Sequence, residues 1–287
     1  MTMPTRRAFA LLLAVLAAGL AGCSALSALN ALTPVSDLEI RRDIAYGDGP
    51  RGKLDAYRRR DTPPNAPVIV FFYGGSWDSG ERSSYLFAAE ALSSRGFVVV
   101  VPDYRVYPAV TFPGFLDDAA ASVAWTRAHA RELGGNPDKL FLMGHSAGAH
   151  LAAMIALDPQ YLARVGLTPK AVSGFIGLAG PYDFLPLKSP TLKTIFAPEE
   201  TIARTQPITF ASASAPPALL ITGDEDTTVS PGNTTRLAQR LREKGASVTE
   251  VHYPTENHYT IVGRLAAPFR SGEPLLDEVD RFVRAPR

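Results

Sequence analysis

The run KLFLMGHSAGAHLAAMIAL, residues 139–157, decides how the chain folds. Lys139–Met143 lead in as an apolar strand, and Ala147–Leu157 follow as a helix of small and apolar residues. Between them Gly144-His145-Ser146-Ala147-Gly148 fits G-x-S-x-G. In that pattern a strand turns sharply into a helix and leaves the serine hydroxyl standing at the tip. So tight a turn needs small neighbours, and Gly144 and Gly148 let strand and helix approach. Ala147 opens the helix, so its backbone N–H has no intrahelical acceptor and is free to face a developing negative charge.

Outward from this turn the same alternation repeats. Leu38–Tyr46 and Lys53–Arg58 alternate as an opening antiparallel pair. Pro67–Tyr73, Phe97–Val101, Val172–Leu178, Ala218–Thr222 and Ser247–Tyr253 read as further strands, most of them continuously apolar. Helices are predicted over Tyr85–Arg95, Pro113–Leu133, Thr234–Lys244 and Pro274–Val283; Gly96, Gly134 and Gly245 stop the first three. Apolar strands separated by helices predict an α/β fold, with a mostly parallel central sheet flanked by helices on both faces. No repeat or linker divides residues 37–287, which read as one domain. Phe184–Pro217 is the least regular stretch. It is expected to carry one or two short helices over the sheet's edge, a small or minimal cap.

Of the 287 residues, 29 are Lys or Arg and 28 Asp or Glu, a net charge of +1. That balance excludes a general electrostatic grip on nucleic acid. One cysteine, Cys23, excludes an intramolecular disulfide, a CxxC redox pair and a thiolate zinc cluster. Nothing in the chain calls for a metal or an organic cofactor. Cys23 follows Arg6, Arg7 and the apolar stretch Ala8–Leu20. That stretch is shorter than the roughly 20 residues of a spanning helix, so residues 1–22 read as a signal peptide. Leu20-Ala21-Gly22-Cys23 resembles a bacterial lipobox, and Thr5-Arg6-Arg7-Ala8-Phe9 resembles a twin-arginine export motif. The first resemblance implies cleavage before Cys23, lipidation of its thiol and a tether over residues 23–36. The protein would then be anchored to a membrane of the cell envelope. By resemblance to lipoprotein sorting patterns, Ser24 in place of Asp implies the outer membrane where a cell has two.

A serine hydroxyl is a weak nucleophile and needs a base. The chain offers five histidines. His129 lies in a charged helix and His252 in a strand pattern. His145 and His150 flank the serine, and His258 follows the last strand in the loop Thr255–Tyr259. For a carboxylate partner, Asp224, Glu225 and Asp226 compete in the loop Gly223–Val229. A second source of backbone donors is Gly74-Gly75-Ser76-Trp77, after the strand Pro67–Tyr73.

YGGSW at 73–77, PDYRVYP at 102–108, GHSAG at 144–148, GPYD at 180–183, GDEDTTV at 223–229 and ENH at 256–258 together span most of the chain. On these motifs the chain from Asp37 onward resembles the carboxylesterase group of α/β-hydrolases. It is similar to feruloyl-esterase-like, arylformamidase-like and isoprenylcysteine-methylesterase-like enzymes, and more distantly to hormone-sensitive-lipase-type esterases. The resemblance implies a triad of Ser146, Asp226 and His258, with Asp224 bracing the turn. It implies an oxyanion hole from the N–H groups of Gly75, Ser76 and Ala147. Trp77, Tyr107, His145 and Tyr182 are expected to line the substrate site, and Asp103 and Arg105 to brace it. The implied activity is hydrolysis of small-molecule short-chain or aryl carboxylic esters through an acyl-enzyme. The same groups would serve amide, formamide or peptide hydrolysis, and a silent envelope scaffold is a further alternative. Two positions depart from the pattern. Tyr73 stands where the family usually has His, and Tyr107 interrupts the lipase-type D-Y-R-L-A-P-E.

Overall fold

The structure, a computed structural model, describes residues 25–270 and 274–286. The signal segment 1–22 and the lipobox Cys23 lie outside the described residues. Eight strands form one sheet: β1 (Leu38–Ala45), β2 (Lys53–Arg59), β3 (Ala66–Phe72), β4 (Val98–Pro102), β5 (Gly135–His145), β6 (Gly174–Leu178), β7 (Ala218–Gly223) and β8 (Val248–Tyr253). Their spatial order is β1-β2-β4-β3-β5-β6-β7-β8. β1 and β2 pair antiparallel, β2 runs antiparallel to β4, and every later pairing is parallel.

The order explains the sequence pattern. β4, β6 and β7 are buried at every residue and β3 at all but one, which is why they read as unbroken apolar runs. β8, at the edge, has no fully buried residue and mixes half-buried with exposed positions. The chain passes from β3 outward to β4 and then returns to place β5 on the other side of β3. That reversal opens a crevice at the carboxyl ends of β3 and β5, where ligands of open α/β sheets bind. The glycine loop follows β3, and Ser146 follows β5.

The helices are α1 (Ala25–Ala31), α2 (Leu86–Ser93), α3 (Gly114–His129), α4 (Ala147–Leu157), α5 (Pro159–Arg164), α6 (Pro190–Ile195), α7 (Gly232–Glu243), α8 (His258–Gly263) and α9 (Pro274–Arg284). All eleven residues of α4 are buried, so its small side chains set how near it comes to the sheet. A Cβ on Gly148 would lie 2.0 Å from the Phe72 carbonyl oxygen, and one on Gly144 2.2 Å from that of Gly148. Both glycines are therefore required by backbone approach. α7 and α9 bury one face each, through Leu237 and Leu241 and through Leu275 and Val279.

Four expectations change. β5 begins at Gly135, paired with Ala66, earlier than the apolar run at Lys139, because ladder bonds do not depend on side-chain polarity. α3 ends at His129, and turns complete the path to Gly134, whose φ is +87°. Phe184–Pro217 holds α6 and two 3-10 turns, Glu199–Thr205 and Pro207–Phe210. It lies over the carboxyl ends of the strands instead of along the sheet's edge, with Phe196 packed on Trp77, Phe112 and Phe115. Residues 25–31, expected to be tether, form a docked helix. Leu29 is buried, Asn30 Nδ2 donates to the Ser83 carbonyl at 2.7 Å, and Asn30 Oδ1 accepts the Phe87 N–H at 3.1 Å. Phe87 is in the first turn of α2, so Asn30 satisfies a helix-start donor from far along the chain.

Candidate active site

Ser146 sits between β5 and α4 with φ 55° and ψ −124°. A non-glycine residue at positive φ is strained by about 1–3 kcal/mol and persists only where its surroundings fix it. Here the Ser146 N–H donates to the Leu178 carbonyl at 2.9 Å, and its carbonyl accepts from Ala149 and His150 at 2.9 and 3.2 Å. The hydroxyl is left to face the crevice.

His258 Nε2 is 2.9 Å from Ser146 Oγ, and His258 Nδ1 is 2.7 Å from Asp226 Oδ2. The other Asp226 oxygen accepts the N–H groups of Thr228 and Val229, both at 2.8 Å, an Asx turn that fixes the carboxylate. A carboxylate only accepts, so the proton on neutral His258 belongs on Nδ1, and the Nε2 lone pair faces the serine hydroxyl. Asp224 goes elsewhere. It is exposed, and its Oδ1 meets His252 Nδ1 at 2.6 Å. Glu225 is also exposed, and its N–H donates to the Glu256 carbonyl at 3.0 Å.

His258 is the first residue of α8, where a loop was expected. Asn257 caps that helix. Its side chain accepts from Tyr259 and Thr260 N–H, both at 3.0 Å, while Thr260 Oγ1 accepts the Asn257 N–H at 2.8 Å. This reciprocal capping box fixes the imidazole's point of attachment. From behind, His145 Nε2 donates to the His258 carbonyl at 2.9 Å. Burial, followed by the proximity of His258, pushes the His145 pKa down to about 3, so the ring stays neutral. His145 was expected to touch substrate; it is instead buried and holds the main chain of His258. Tyr182 is likewise removed from the expected lining. It is fully buried, its ring against Gly177 and Gly180.

Gly75, Ser76 and Trp77 have φ of 142°, 51° and 60°. Positive φ at Ser76 and Trp77 is a backbone path that non-glycine residues rarely take. The Gly75 carbonyl accepts from Asp78 and Ser79, both at 3.0 Å, which closes the loop. The N–H groups of Gly75, Ser76 and Ala147 find no acceptor among the described residues. A Cβ on Gly74 would lie 3.0 Å from Ser146 Cβ, so only glycine lets this loop lie so close to the serine. Trp77 is buried, edge-on to His150 at 5.1 Å and stacked on Phe184 at 5.7 Å. Tyr107 is half-buried and donates its N–H to the Trp77 carbonyl at 2.8 Å. His150 Nε2 lies 2.8 Å from the Thr205 carbonyl, which ties the covering segment to α4. Burial depresses its pKa to about 4.

Tyr73 answers the first departure from the family pattern. Its hydroxyl donates to Asp103 Oδ1 at 2.9 Å and accepts from Arg51 Nη1 at 3.0 Å, and Tyr104 donates to the Tyr73 carbonyl at 2.7 Å. The Tyr73 and Tyr104 rings stack at 4.6 Å. Burial, reinforced by the Asp103 charge, raises the Tyr73 pKa far above its ordinary value, so it remains a donor. Arg51 Nη2 also holds the Gly80 carbonyl at 2.9 Å, at the far end of the loop. Arg82 adds its N–H at 2.8 Å and its guanidinium to Asp103. Arg105 grips Asp118 through its N–H at 2.8 Å and Nη2 at 2.7 Å. Asp103 and Arg105 thus brace the loops and stand away from the serine. Arg51 and Asn257 carry weight that nothing local in the sequence announced.

A serine at positive φ on the switch point of a mostly parallel sheet, paired with a histidine that follows the last strand, places the chain among the α/β-hydrolases. Residues 54–241 match the family BD-FAE, and the chain belongs to it. It is 33% identical over 221 residues to esterase LipC of Mycobacterium tuberculosis, covering 70% of this chain and 55% of the relative. It is 28% identical over 256 residues to a probable isoprenylcysteine alpha-carbonyl methylesterase, ICMEL1, of Arabidopsis thaliana, covering 81% and 53%. The chain thus spans about half the length of these curated relatives. Among solved structures it resembles a truncated carbohydrate esterase from gut microbiota, with a TM-score of 0.74, 19% identity and coverage of 88% and 98%. It also resembles Thermogutta terrifontis esterase 2 with propionate bound, at TM-score 0.71, 25% identity and coverage of 88% and 98%.

Proposed function

We propose that this protein is a serine carboxylesterase for short-chain or aryl esters, exported and lipid-anchored through Cys23. The observation that carries the activity is the unbroken hydrogen-bonded path Ser146–His258–Asp226, with links of 2.9 and 2.7 Å. His258 Nε2 takes the Ser146 proton as Oγ bonds to the ester carbonyl carbon. The carbonyl electron pair moves to oxygen, facing the N–H groups of Gly75, Ser76 and Ala147. One such donor is typically worth about 10²–10³ in rate. Collapse of the adduct expels the alcohol, which leaves with the proton from Nε2, and an acyl-serine remains. Water, deprotonated by the same nitrogen, releases the acid. Asp226 holds the tautomer and stabilises the imidazolium between these steps.

Similarity to the esterase LipC and to the probable methylesterase favours ester over amide bonds. The Trp77, Phe184 and Phe196 cluster beside the oxyanion loop favours compact or aromatic groups over long acyl chains. A panel of p-nitrophenyl acetate, methyl ferulate and an N-formyl amide tests the assignment. Esters are expected to turn over and Ser146→Ala to abolish turnover; activity retained in that variant removes Ser146 from the reaction. The anchor rests on Leu20-Ala21-Gly22-Cys23. Metabolic incorporation of a fatty acid, lost in Cys23→Ser, is the expected result, and incorporation that persists in the variant excludes this anchor.

A further inference from the structure

Ten tyrosines occur in the chain, and nine are buried or half-buried. Tyr259 is the exception, 64% exposed. It follows His258 directly. Its ring stands perpendicular to the imidazole, with centroids 5.4 Å apart. Its backbone is fixed by the bond from its N–H to Asn257 Oδ1 at 3.0 Å. Its phenol oxygen has no hydrogen-bond partner among the described residues. So large an apolar face, rooted rigidly and left wet, gains free energy from any flat apolar group laid against it.

We infer that Tyr259 is a specificity-determining platform for the alcohol portion of the ester, and that it selects alcohols carrying a flat ring, either aryl or the apolar face of a sugar. This rests on the esterase reading. His258 Nε2 is the atom that returns the proton to the departing oxygen, so the substrate portion nearest His258 at that moment is the alcohol. A ring one or two bonds beyond that oxygen comes within reach of the Tyr259 face. Stacking between rings contributes binding that does not depend on progress along the reaction. The effect therefore falls on KM more than on kcat.

The test compares wild type, Tyr259→Ala and Tyr259→Phe on benzyl acetate, ethyl acetate and a methyl mono-O-acetylglucopyranoside. Benzyl and ethyl alcohol are similarly poor leaving groups, so their ratio isolates the ring. Tyr259→Ala is expected to lower the benzyl-to-ethyl ratio of kcat/KM about fivefold, mostly through KM, while Tyr259→Phe retains it. A matching loss on the sugar ester shows that sugar rings use the platform too, and a loss confined to benzyl acetate makes it an aryl platform. Equal changes on all three esters overturn the inference. Wild-type turnover with unchanged ratios in Tyr259→Ala removes the platform alone. No turnover by wild type, with Ser146 unlabelled by a fluorophosphonate, removes the esterase reading and the platform with it.

Discussion

His258 meets Asp226 at 2.7 Å and His252 meets Asp224 at 2.6 Å, each pair joining the loop after β7 to the chain in or just beyond β8. Distance does not separate them. Surroundings do: the side chains of His258 and Asp226 are 5% and 0% exposed, those of His252 and Asp224 33% and 43%. The second nitrogen of His258 faces a serine hydroxyl, whereas that of His252 faces Glu250 at 3.1 Å and Thr235 at 3.4 Å. A histidine–carboxylate contact therefore becomes useful when it is dry and when its other end points at something that can react. The outer pair has the contact and lacks both.

Replacing the carboxylates is the sharpest way to break this comparison. Asp226→Asn is expected to lower kcat by about 10⁴, because an amide can present a donor to Nδ1 and force the wrong tautomer. Asp224→Asn is expected to stay within about twofold of wild type. A hundredfold loss in Asp224→Asn would mean that the outer pair takes part in turnover.

Acid sensitivity gives a second, smaller effect. His145 and His150 are held neutral with pKa values of about 3 and 4, below the ordinary 6.5. The unfolded chain binds protons there that the folded one refuses, so their contribution is complete above pH 6.5 and is lost as pH falls toward those values. Between pH 6 and 4.5 each should remove on the order of 1.4 kcal/mol of stability per pH unit. A shallower decline of Tm in His145→Gln checks the sign; an unchanged slope would show that this site does not govern it.

The outer pair should act in the opposite sense and weakly. Partial burial, the largest influence, lowers the His252 pKa, but hydrogen bonds to Asp224 and Glu250 outweigh it and the pKa ends above 6.5. Its stabilisation is present below pH 6.5 and lost as pH rises through that higher value. For so exposed a pair it is worth at most about 1 kcal/mol. Thermal melts of His252→Asn should show a small loss near pH 5.5 and none near pH 9. A loss that grows with pH would reverse this assignment.

The strands were legible because six of the eight lie inside the sheet, and for five of those, β3 to β7, burial demands long apolar runs, and the elbow was legible because GHSAG allows little else. The choice among Asp224, Glu225 and Asp226 was not readable from composition, since three neighbours in one loop have equal chemistry. The Asx turn through Thr228 and Val229 is what sets Asp226 apart. Arg51 was invisible for another reason. It reaches Tyr73 and Tyr104 across 22 and 53 residues, and no local pattern encodes such a reach. His145 and Tyr182 lie beside motif residues, and on sequence alone that neighbourhood points to the substrate. Their side chains run inward, and sequence adjacency does not report direction.

The docking of α1 bears on how the molecule would meet a membrane. Ala25 is the second residue after Cys23, and Asn30 is bolted to the start of α2. If Cys23 carries the lipid, two residues at roughly 3.3–3.6 Å each could span at most about 7 Å between it and the folded body. A leash of that length allows little swivel. The protein would sit as a fixture with one cheek toward the bilayer, and Asn30 would help decide which way its crevice looks.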